Sequence, residues 1–213
     1  MDLTMKLAEL STADFIKELS RISPAPGGGS VAAFAGALGA ALCAMVSRLT
    51  LGNKKYSDAW VSMERVLDQA DGLAQHFLVL MDQDASAYNE VVAAMRLLKE
   101  TEQQKTARRQ AVQQATRKAA WVPLETLRAV ASLADQIRAA VEMGNPNCIT
   151  DAGTAAQLAR AAAHGAAYNV RINLVGIDDN AFVAECNREV EDVLVRLNSV
   201  VENLEEKVAA ALS

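Results

Sequence analysis

The chain has 213 residues and a formal net charge of -5. Proteins that bind nucleic acids usually present a basic surface, so this charge argues against that class of partner. Hydrophobic residues make up 51% of the sequence and aromatic residues only 4%, which indicates close-packed helices rather than sheets. The length allows one sizeable core or two small ones, and we predict a single domain over residues 1–213.

The N-terminal part of the sequence predicts a short helix, a loop and a long apolar helix. A start signal at residues 11–14 begins the short helix, which is expected to end at Leu19. Residues 24–29, Pro-Ala-Pro-Gly-Gly-Gly, exclude regular structure. The apolar helix then runs from about Ser30, its expected N-cap, to Leu51. Free backbone N–H groups at its start would bind an anion, whereas the alternative is a flexible turn.

Several features bear on location and partners. The apolar run of residues 31–46 is shorter than the ~20 residues that a membrane span needs, so we interpret it as a core helix and expect no membrane association. Residues 1–4 show no signal-peptide character, and a cytoplasmic location is expected. The three cysteines, Cys43, Cys148 and Cys186, are far apart and are expected to be reduced thiols.

The rest of the chain predicts further helices and no strand. The first of these helices is expected to begin at Ser57 or Asp58 and to end near Lys99. Two helices follow at residues 101–121 and 124–143, with a boundary at Pro123. A fourth is expected from Thr150 or Asp151 to Leu174, and the last begins at residues 178–179. The predicted fold is all-α, an elongated antiparallel bundle of long helices. Apolar stripes this wide bury more surface than one chain can cover, so a homodimer is expected.

Two acidic residues of the longest predicted helix differ in environment. On a helical wheel centred on Phe77, Asp84 lies within the apolar stripe and Asp82 lies on its polar flank. A carboxyl in an apolar environment must find a partner or keep its proton, because the charged form is costly there. We therefore predict that Asp84 is a proton-transfer group in a cleft. The alternative is a structural Asp paired with a buried Lys or hydroxyl. Asp82 is predicted to be a solvated surface charge.

Other polar candidates form three groups, each of which also has an ordinary structural explanation. The residues Lys54, Lys55 and Tyr56 would otherwise be a solvated helix end. Asn145, Asn147 and Asp151 would otherwise be a turn with a helix cap. Asn169 and Asn173 are amides one turn apart that need hydrogen-bond partners. The two histidines, His76 and His164, lack metal-ligand spacing, so no metal site is predicted.

Six segments in order resemble the cyclodeaminase/cyclohydrolase family, which includes the C-terminal domain of formiminotransferase-cyclodeaminase. They are residues 23–33, which contain Pro-Ala-Pro-Gly-Gly-Gly-Ser, and residues 49–56, 82–88, 96–101, 145–151 and 169–174. Two positions depart from the family pattern. Asn53 stands where lysine is frequent, and Leu98 stands where proline is frequent.

The resemblance implies an all-α homodimer that acts on tetrahydrofolate derivatives without a further cofactor, and it makes Asp84 the proton donor. The substrate-binding positions that we expect are Gly27, Gly28, Gly29, Ser30, Lys54, Lys55, Tyr56, Tyr88, Asn145, Asn147, Asp151, Asn169 and Asn173. The expected reaction converts 5-formimino-tetrahydrofolate to 5,10-methenyl-tetrahydrofolate and ammonia. The alternatives are a methenyltetrahydrofolate cyclohydrolase, which forms 10-formyl-tetrahydrofolate, and a non-catalytic helical folate-binding protein or scaffold.

Overall fold

A computed structural model describes residues 6–213 of the chain. Its α-helices are α1 (Thr12–Leu19), α2 (Gly28–Leu51), α3 (Trp60–Met95), α4 (Glu102–Met143), α5 (Ile149–Leu174) and α6 (Asn180–Ala211). Short 3-10 turns lie at Leu7–Glu9, Lys54–Ala59 and Pro146–Cys148. No strand occurs among these residues, and the predicted all-α fold is confirmed.

Helices α2 to α5 form the centre of the bundle. Helix α2 packs against α3 and α5, α4 packs against the same two helices, and α6 covers α4 and α5 from outside. Small residues allow these close approaches: a Cβ atom at Gly36 would lie 2.6 Å from Cε1 of the buried Phe77, and one at Gly39 would lie 3.2 Å from the carbonyl oxygen of Ala155. One side of α2 is thus held within the bundle.

Helix α2 is also apolar enough, by length and composition, to span a membrane. Its most apolar window has a mean hydropathy of 1.9, but 61% of that window is buried inside the fold. The core helix of a water-soluble bundle meets the same criterion, so the burial agrees with the core position predicted from the sequence.

Three predicted helix starts differ in the structure. Helix α3 begins at Trp60, after Ala59, because Ser57 and Asp58 belong to the preceding 3-10 turn. Helix α2 begins earlier than expected, with Gly27 as its N-cap and Ser30 in its first turn. Ser30 does not cap the helix, because it already lies within the helical turn that Gly27 precedes, and its hydroxyl donates to Asp84 of α3. Helix α5 is preceded by Cys148, so Asp151 lies in its first turn rather than at the cap.

The predicted boundary at Pro123 is wrong, since α4 continues through this residue. Proline has no backbone N–H, so it leaves the carbonyl group of Ala119, four residues earlier, without its helical donor. The amide nitrogen Nδ2 of Asn173 on α5 donates to that oxygen at 2.8 Å. A side chain distant in the sequence thus replaces the missing bond, and Ala119 and Pro123 are both buried beneath it.

Replacement of Asn173 tests this compensation. Asn173→Ala leaves a buried carbonyl unsatisfied and is expected to lower the free energy of unfolding by about 1–3 kcal/mol. Pro123→Ala supplies an N–H at position 123, so the double variant should recover most of that loss. Urea unfolding of the wild type, both single variants and the double variant measures the coupling. Strictly additive effects would contradict the compensation.

Candidate functional site

The carboxyl group of Asp84 lies directly on the N-terminal end of α2. The hydroxyl of Ser30 donates to Oδ2 of Asp84 at 2.9 Å, and the backbone N–H of Ser30 also lowers the pKa of that carboxyl. A Cβ atom at Gly29 would lie only 2.0 Å from Oδ1 of Asp84. The glycine therefore creates the space that the carboxyl occupies.

Two opposing effects act on the acidity of Asp84. Burial raises the pKa of the Asp84 carboxyl, because the charged form loses hydration. The hydroxyl and the N–H of Ser30 favour the charged form and lower that pKa, but the effect of burial is larger. Ser30 is fully buried and Asp84 is half-buried. Asp84 thus keeps its proton to a higher pH than an ordinary aspartic acid does, as its place in the apolar stripe suggested.

Further polar groups lie at the same end of α2. The Nδ2 atom of Asn169 would be 3.2 Å from a Cβ at Gly28, and it donates to the carbonyl oxygen of Gly165 in its own helix at 2.8 Å. Tyr88, one turn beyond Asp84 on α3, is 38% exposed. The structure therefore brings together a carboxyl, a hydroxyl and an amide, with a phenol one turn away.

Asn173 lies one turn beyond Asn169 on α5. Its Nδ2 atom is already bonded to Ala119. A contact between Asn173 and a substrate remains a prediction, and it would use the second N–H of Nδ2 or the amide oxygen Oδ1.

The remaining predicted site residues lie at the opposite end of α2. Lys54 and Lys55 are exposed in the turn that follows α2, and Nζ of Lys55 lies 5.7 Å from the ring centroid of Tyr56. The backbone N–H of Asn145 donates to Oγ1 of Thr50 at 2.8 Å, near the last residue of α2. Asn147 and Asp151 follow in the next turn and in the start of α5.

The length of α2 separates these two groups. At 1.5 Å per residue, a helix of 24 residues is about 36 Å long. The lysines of a given chain therefore lie far from its own Asp84, and the structure does not bring them into one site within one chain.

Asp82 has a structural role that the sequence interpretation missed. Its Oδ1 atom accepts the backbone N–H of Leu7 at 2.6 Å, and the Leu7 side chain is buried. The prediction of a solvated surface charge is therefore wrong: the half-buried Asp82 anchors the N-terminal turn against α3. The wheel placed Asp82 correctly on the polar flank of α3, but it carried no information about which distant segment lies there.

Comparison with known proteins assigns the chain to a family. The sequence model of a family described as formiminotransferase-cyclodeaminase matches residues 11–192. The chain belongs to this family.

Its relatives include both free-standing and longer proteins. The chain is 37% identical to the methenyltetrahydrofolate cyclohydrolase of Methylorubrum extorquens, over 93% of this chain and 96% of that protein. It is 35% identical to the formimidoyltransferase-cyclodeaminase of Sus scrofa, over 84% of this chain and 33% of that longer protein. The crystal structure of the formiminotetrahydrofolate cyclodeaminase from Thermotoga maritima superposes with a TM-score of 0.87, at 27% identity, over 96% of this chain and 98% of that chain.

Substitution of Gly29 tests the contact with Asp84 in this family member. Gly29→Ala places a Cβ atom where the carboxyl lies, and we expect it to lower the free energy of unfolding by about 1–3 kcal/mol. Gly72→Ala is the control: Gly72 lies within α3, and no atom of a neighbour lies within 4 Å of an added Cβ. It should stabilise the protein by about 0.5–1 kcal/mol through helix propensity. Chemical unfolding measures both variants, and a harmless Gly29→Ala would contradict the steric account.

Proposed function

We propose that this protein is a tetrahydrofolate enzyme that acts on the one-carbon unit between N5 and N10, with Asp84 as the proton-transfer group. The observation that carries the proposal is the half-buried carboxyl of Asp84 on the glycine-lined end of α2, whose pKa is raised by burial. Membership of the formiminotransferase-cyclodeaminase family supports the substrate class.

The first candidate reaction is cyclodeamination of 5-formimino-tetrahydrofolate. N10 attacks the formimino carbon, and its proton moves to the formimino nitrogen, which gives a tetrahedral carbon bonded to N5, N10 and an amino group. Protonated Asp84 then donates its proton to the amino nitrogen, the carbon–nitrogen bond breaks, and ammonia leaves. The products are the 5,10-methenyl cation, ammonia and the Asp84 carboxylate. The raised pKa keeps the acid form populated for this step.

Orientation is the other contribution that the fold must make. The attack is intramolecular, so the protein has to hold the rotamers that bring N10 to the formimino carbon, and such positioning contributes several kcal/mol. Amides such as Asn169 supply hydrogen bonds to the pterin in this proposal. The N–H groups of Gly28 and Gly29 would bind an anionic group of the substrate.

The second candidate is hydrolysis of 5,10-methenyl-tetrahydrofolate to the 10-formyl form. It is favoured by the identity with the Methylorubrum extorquens protein, whose length this chain nearly matches. Here the Asp84 carboxylate takes a proton from water as the oxygen attacks the methenyl carbon. Protonated Asp84 then returns that proton to N5 as the bond between N5 and carbon breaks, and the hydroxyl on that carbon releases its proton to water to leave the 10-formyl group. The carboxyl has the same position in both reactions, but its starting protonation state differs.

The proposal also covers assembly, cofactor and location. We propose a homodimer that needs no cofactor beyond its folate substrate and acts in the cytoplasm. The open apolar side of α2 supports the dimer, because an isolated chain would leave it in contact with water.

Turnover of an Asp84 variant tests the catalytic role. Asp84→Asn keeps the size of the side chain but cannot transfer the proton, so we expect kcat to fall by about 10²–10⁴-fold. Asp82→Asn is the matched control, since its amide oxygen can still accept the N–H of Leu7. The assay offers both folates and follows the methenyl absorbance, which rises in cyclodeamination and falls in hydrolysis. Normal turnover by folded Asp84→Asn would refute the role, and a non-catalytic scaffold would show no turnover even as wild type.

The hydrogen bond from Ser30 predicts the direction of a pH shift. The hydroxyl lowers the pKa of Asp84, so Ser30→Ala should raise that pKa further. The limb of the rate profile that reports Asp84 should then move to higher pH, whether Asp84 acts first as an acid or as a base. Ser47→Ala on the same helix is the control, because its buried hydroxyl donates to the carbonyl of Cys43 instead. If Ser30→Ala leaves the pH profile unchanged, the ionisation that controls the rate is not that of Asp84.

A further inference from the structure

The helices α2 to α5 form a square in cross-section, and α2 begins where the other three helices are already in place. Helices α2 and α4 each pack against both α3 and α5, so α3 and α5 lie on opposite corners. At the start of α2, Gly29 lies against Asp84 of α3, and Gly28 faces Asn169 of α5. Helix α3 continues for 11 residues past Asp84, and α5 continues for five past Asn169. At this end the described chain therefore has three packed helices around an open corner.

Helix α4 forms the floor of this open corner. Nζ of Lys118 on α4 pairs with Oε1 of Glu90 on α3 at 2.6 Å, and the carbonyl oxygen of Ala119 accepts Nδ2 of Asn173 on α5 at 2.8 Å. Both contacts lie beyond the start of α2, so the corner is a trough about as wide as a helix, roughly 10–12 Å. Its two walls run side by side for about 8 Å, and the α3 wall continues to about 16 Å. We call it the trough; its walls carry Asp84, Tyr88 and Met95 on α3, and Asn169 and Asn173 on α5.

The α3 wall of the trough is a row that begins at Asp84. At about 100° per residue, Tyr88 and Met95 point within roughly 40° of Asp84, so they continue the side of α3 that α2 covers further back. Tyr88 is 38% exposed and Met95 is 52% exposed, because α2 does not reach them. Helix α1 lies further back, where Phe15 packs on Phe34 of α2. A phenol ring and a thioether in one row suit the face of a flat ring system.

The α5 wall carries two half-buried amides, Asn169 and Asn173, which are one helical turn or about 6 Å apart. Each donates one N–H of Nδ2 to a backbone carbonyl, that of Gly165 or that of Ala119. Each keeps a second N–H, and within residues 6–213 neither Oδ1 accepts a hydrogen bond. An amide with a free donor beside a free acceptor can pair with the edge of a heterocycle, as Asn pairs with adenine.

We infer that the pterin half of the folate binds in the trough, with its ring face on Tyr88 and its 2-amino-4-oxo edge on Asn169 and Asn173. The inference rests on the folate substrate of the proposed function, and it deepens that function by giving the direction in which the substrate lies. N5 then faces Asp84 at the head of the trough, and the one-carbon unit lies against the carboxyl. The tail leaves past the start of α2, whose N–H groups are the proposed anion site.

The charges at the trough favour the pterin over the tail. The pterin is neutral and carries hydrogen-bond donors and acceptors, whereas the p-aminobenzoyl-glutamate tail carries carboxylates. Tyr88, Met95, Asn169 and Asn173 are neutral side chains. Asp84, when charged, would repel a second carboxylate beside it. A polar ring edge that meets two amides keeps its hydrogen bonds on leaving water, so its burial there is not costly.

Binding of 6-methylpterin tests the ring contact without any turnover. This fragment has the 2-amino-4-oxo edge and no tail, and its fluorescence is quenched when an aromatic ring stacks on it. Tyr88→Phe keeps the ring and should bind within about twofold of the wild type, whereas Tyr88→Leu should raise Kd about 10- to 100-fold. Tyr168→Leu is the matched control, because Tyr168 is 64% exposed on α5 and should leave Kd unchanged. Wild-type binding by folded Tyr88→Leu would overturn the inference.

An analogue with a different edge tests the amides. In 2,4-diamino-6-methylpteridine a donor replaces the 4-oxo acceptor, and neither amide can turn to meet it, because each Nδ2 is already bonded. The wild type should therefore bind this analogue at least about 10-fold more weakly than 6-methylpterin. Asn169→Leu should reduce that preference. Asn173→Leu should do so in the Pro123→Ala background, where the carbonyl of Ala119 has its helical donor again. Equal binding of both rings by the wild type would overturn the assignment of the edge.

Competition with the other half of the folate tests the direction. If the pterin lies in the trough, p-aminobenzoyl-glutamate binds elsewhere and should not displace 6-methylpterin. Displacement would place the tail in the trough and overturn the inference.

The outcomes separate the inference from the proposed function. If the wild type converts neither 5-formimino-tetrahydrofolate nor 5,10-methenyl-tetrahydrofolate, the proposed function fails, and the pterin titrations still decide what the trough binds. If the wild type converts either folate but does not bind 6-methylpterin through Tyr88, the proposed function stands and the inference fails.

Discussion

The contact between Asp84 and the start of α2 constrains much of the structure around it. The carboxyl occupies the space of a missing Cβ at Gly29, and seven residues further along α2 the ring of Phe77 does the same at Gly36. Asp84 and Phe77 are also seven residues apart on α3, in the opposite direction. Two glycines thus fix the antiparallel register of the two helices, and the same register that buries Phe77 holds Asp84 on the helix end.

The burial of Asp84 destabilises the folded state when its carboxyl is charged. Because burial raises its pKa, the folded chain binds the Asp84 proton more tightly than the unfolded chain does. The protonated Asp84 therefore stabilises the folded state. This contribution is fully present below the ordinary pKa of an aspartic acid, and it is lost as the pH rises through the raised pKa of the folded chain. A carboxyl retained for stability alone would be better placed in water. Ser30 reduces the cost, since its two donors stabilise the charged form and let the group move between both states.

The sequence alone was enough to predict the helical class, most helix boundaries and the position of Asp84 in an apolar stripe, because these depend on local periodicity. It was not enough where a distant segment decides the outcome. Pro123 predicts a boundary unless Asn173 supplies the lost hydrogen bond. Ser30 predicts a cap, but the helix begins three residues earlier and the Ser30 hydroxyl instead donates to Asp84 of another helix. The sequence also did not predict that the candidate site residues lie in two groups at opposite ends of α2, because the order of motifs along a chain does not give the distances between them.

Helix α2 therefore has two sides with different demands. The inner side uses glycine and alanine, which let α3 and α5 approach closely. The outer side carries larger residues: Leu38 is 42% exposed, whereas the partly buried Leu42 also packs against the core. A surface helix with no such second demand would carry charged residues there. The larger side chains on the outer side leave apolar surface in contact with water, and this exposure is the basis for the homodimer that we propose.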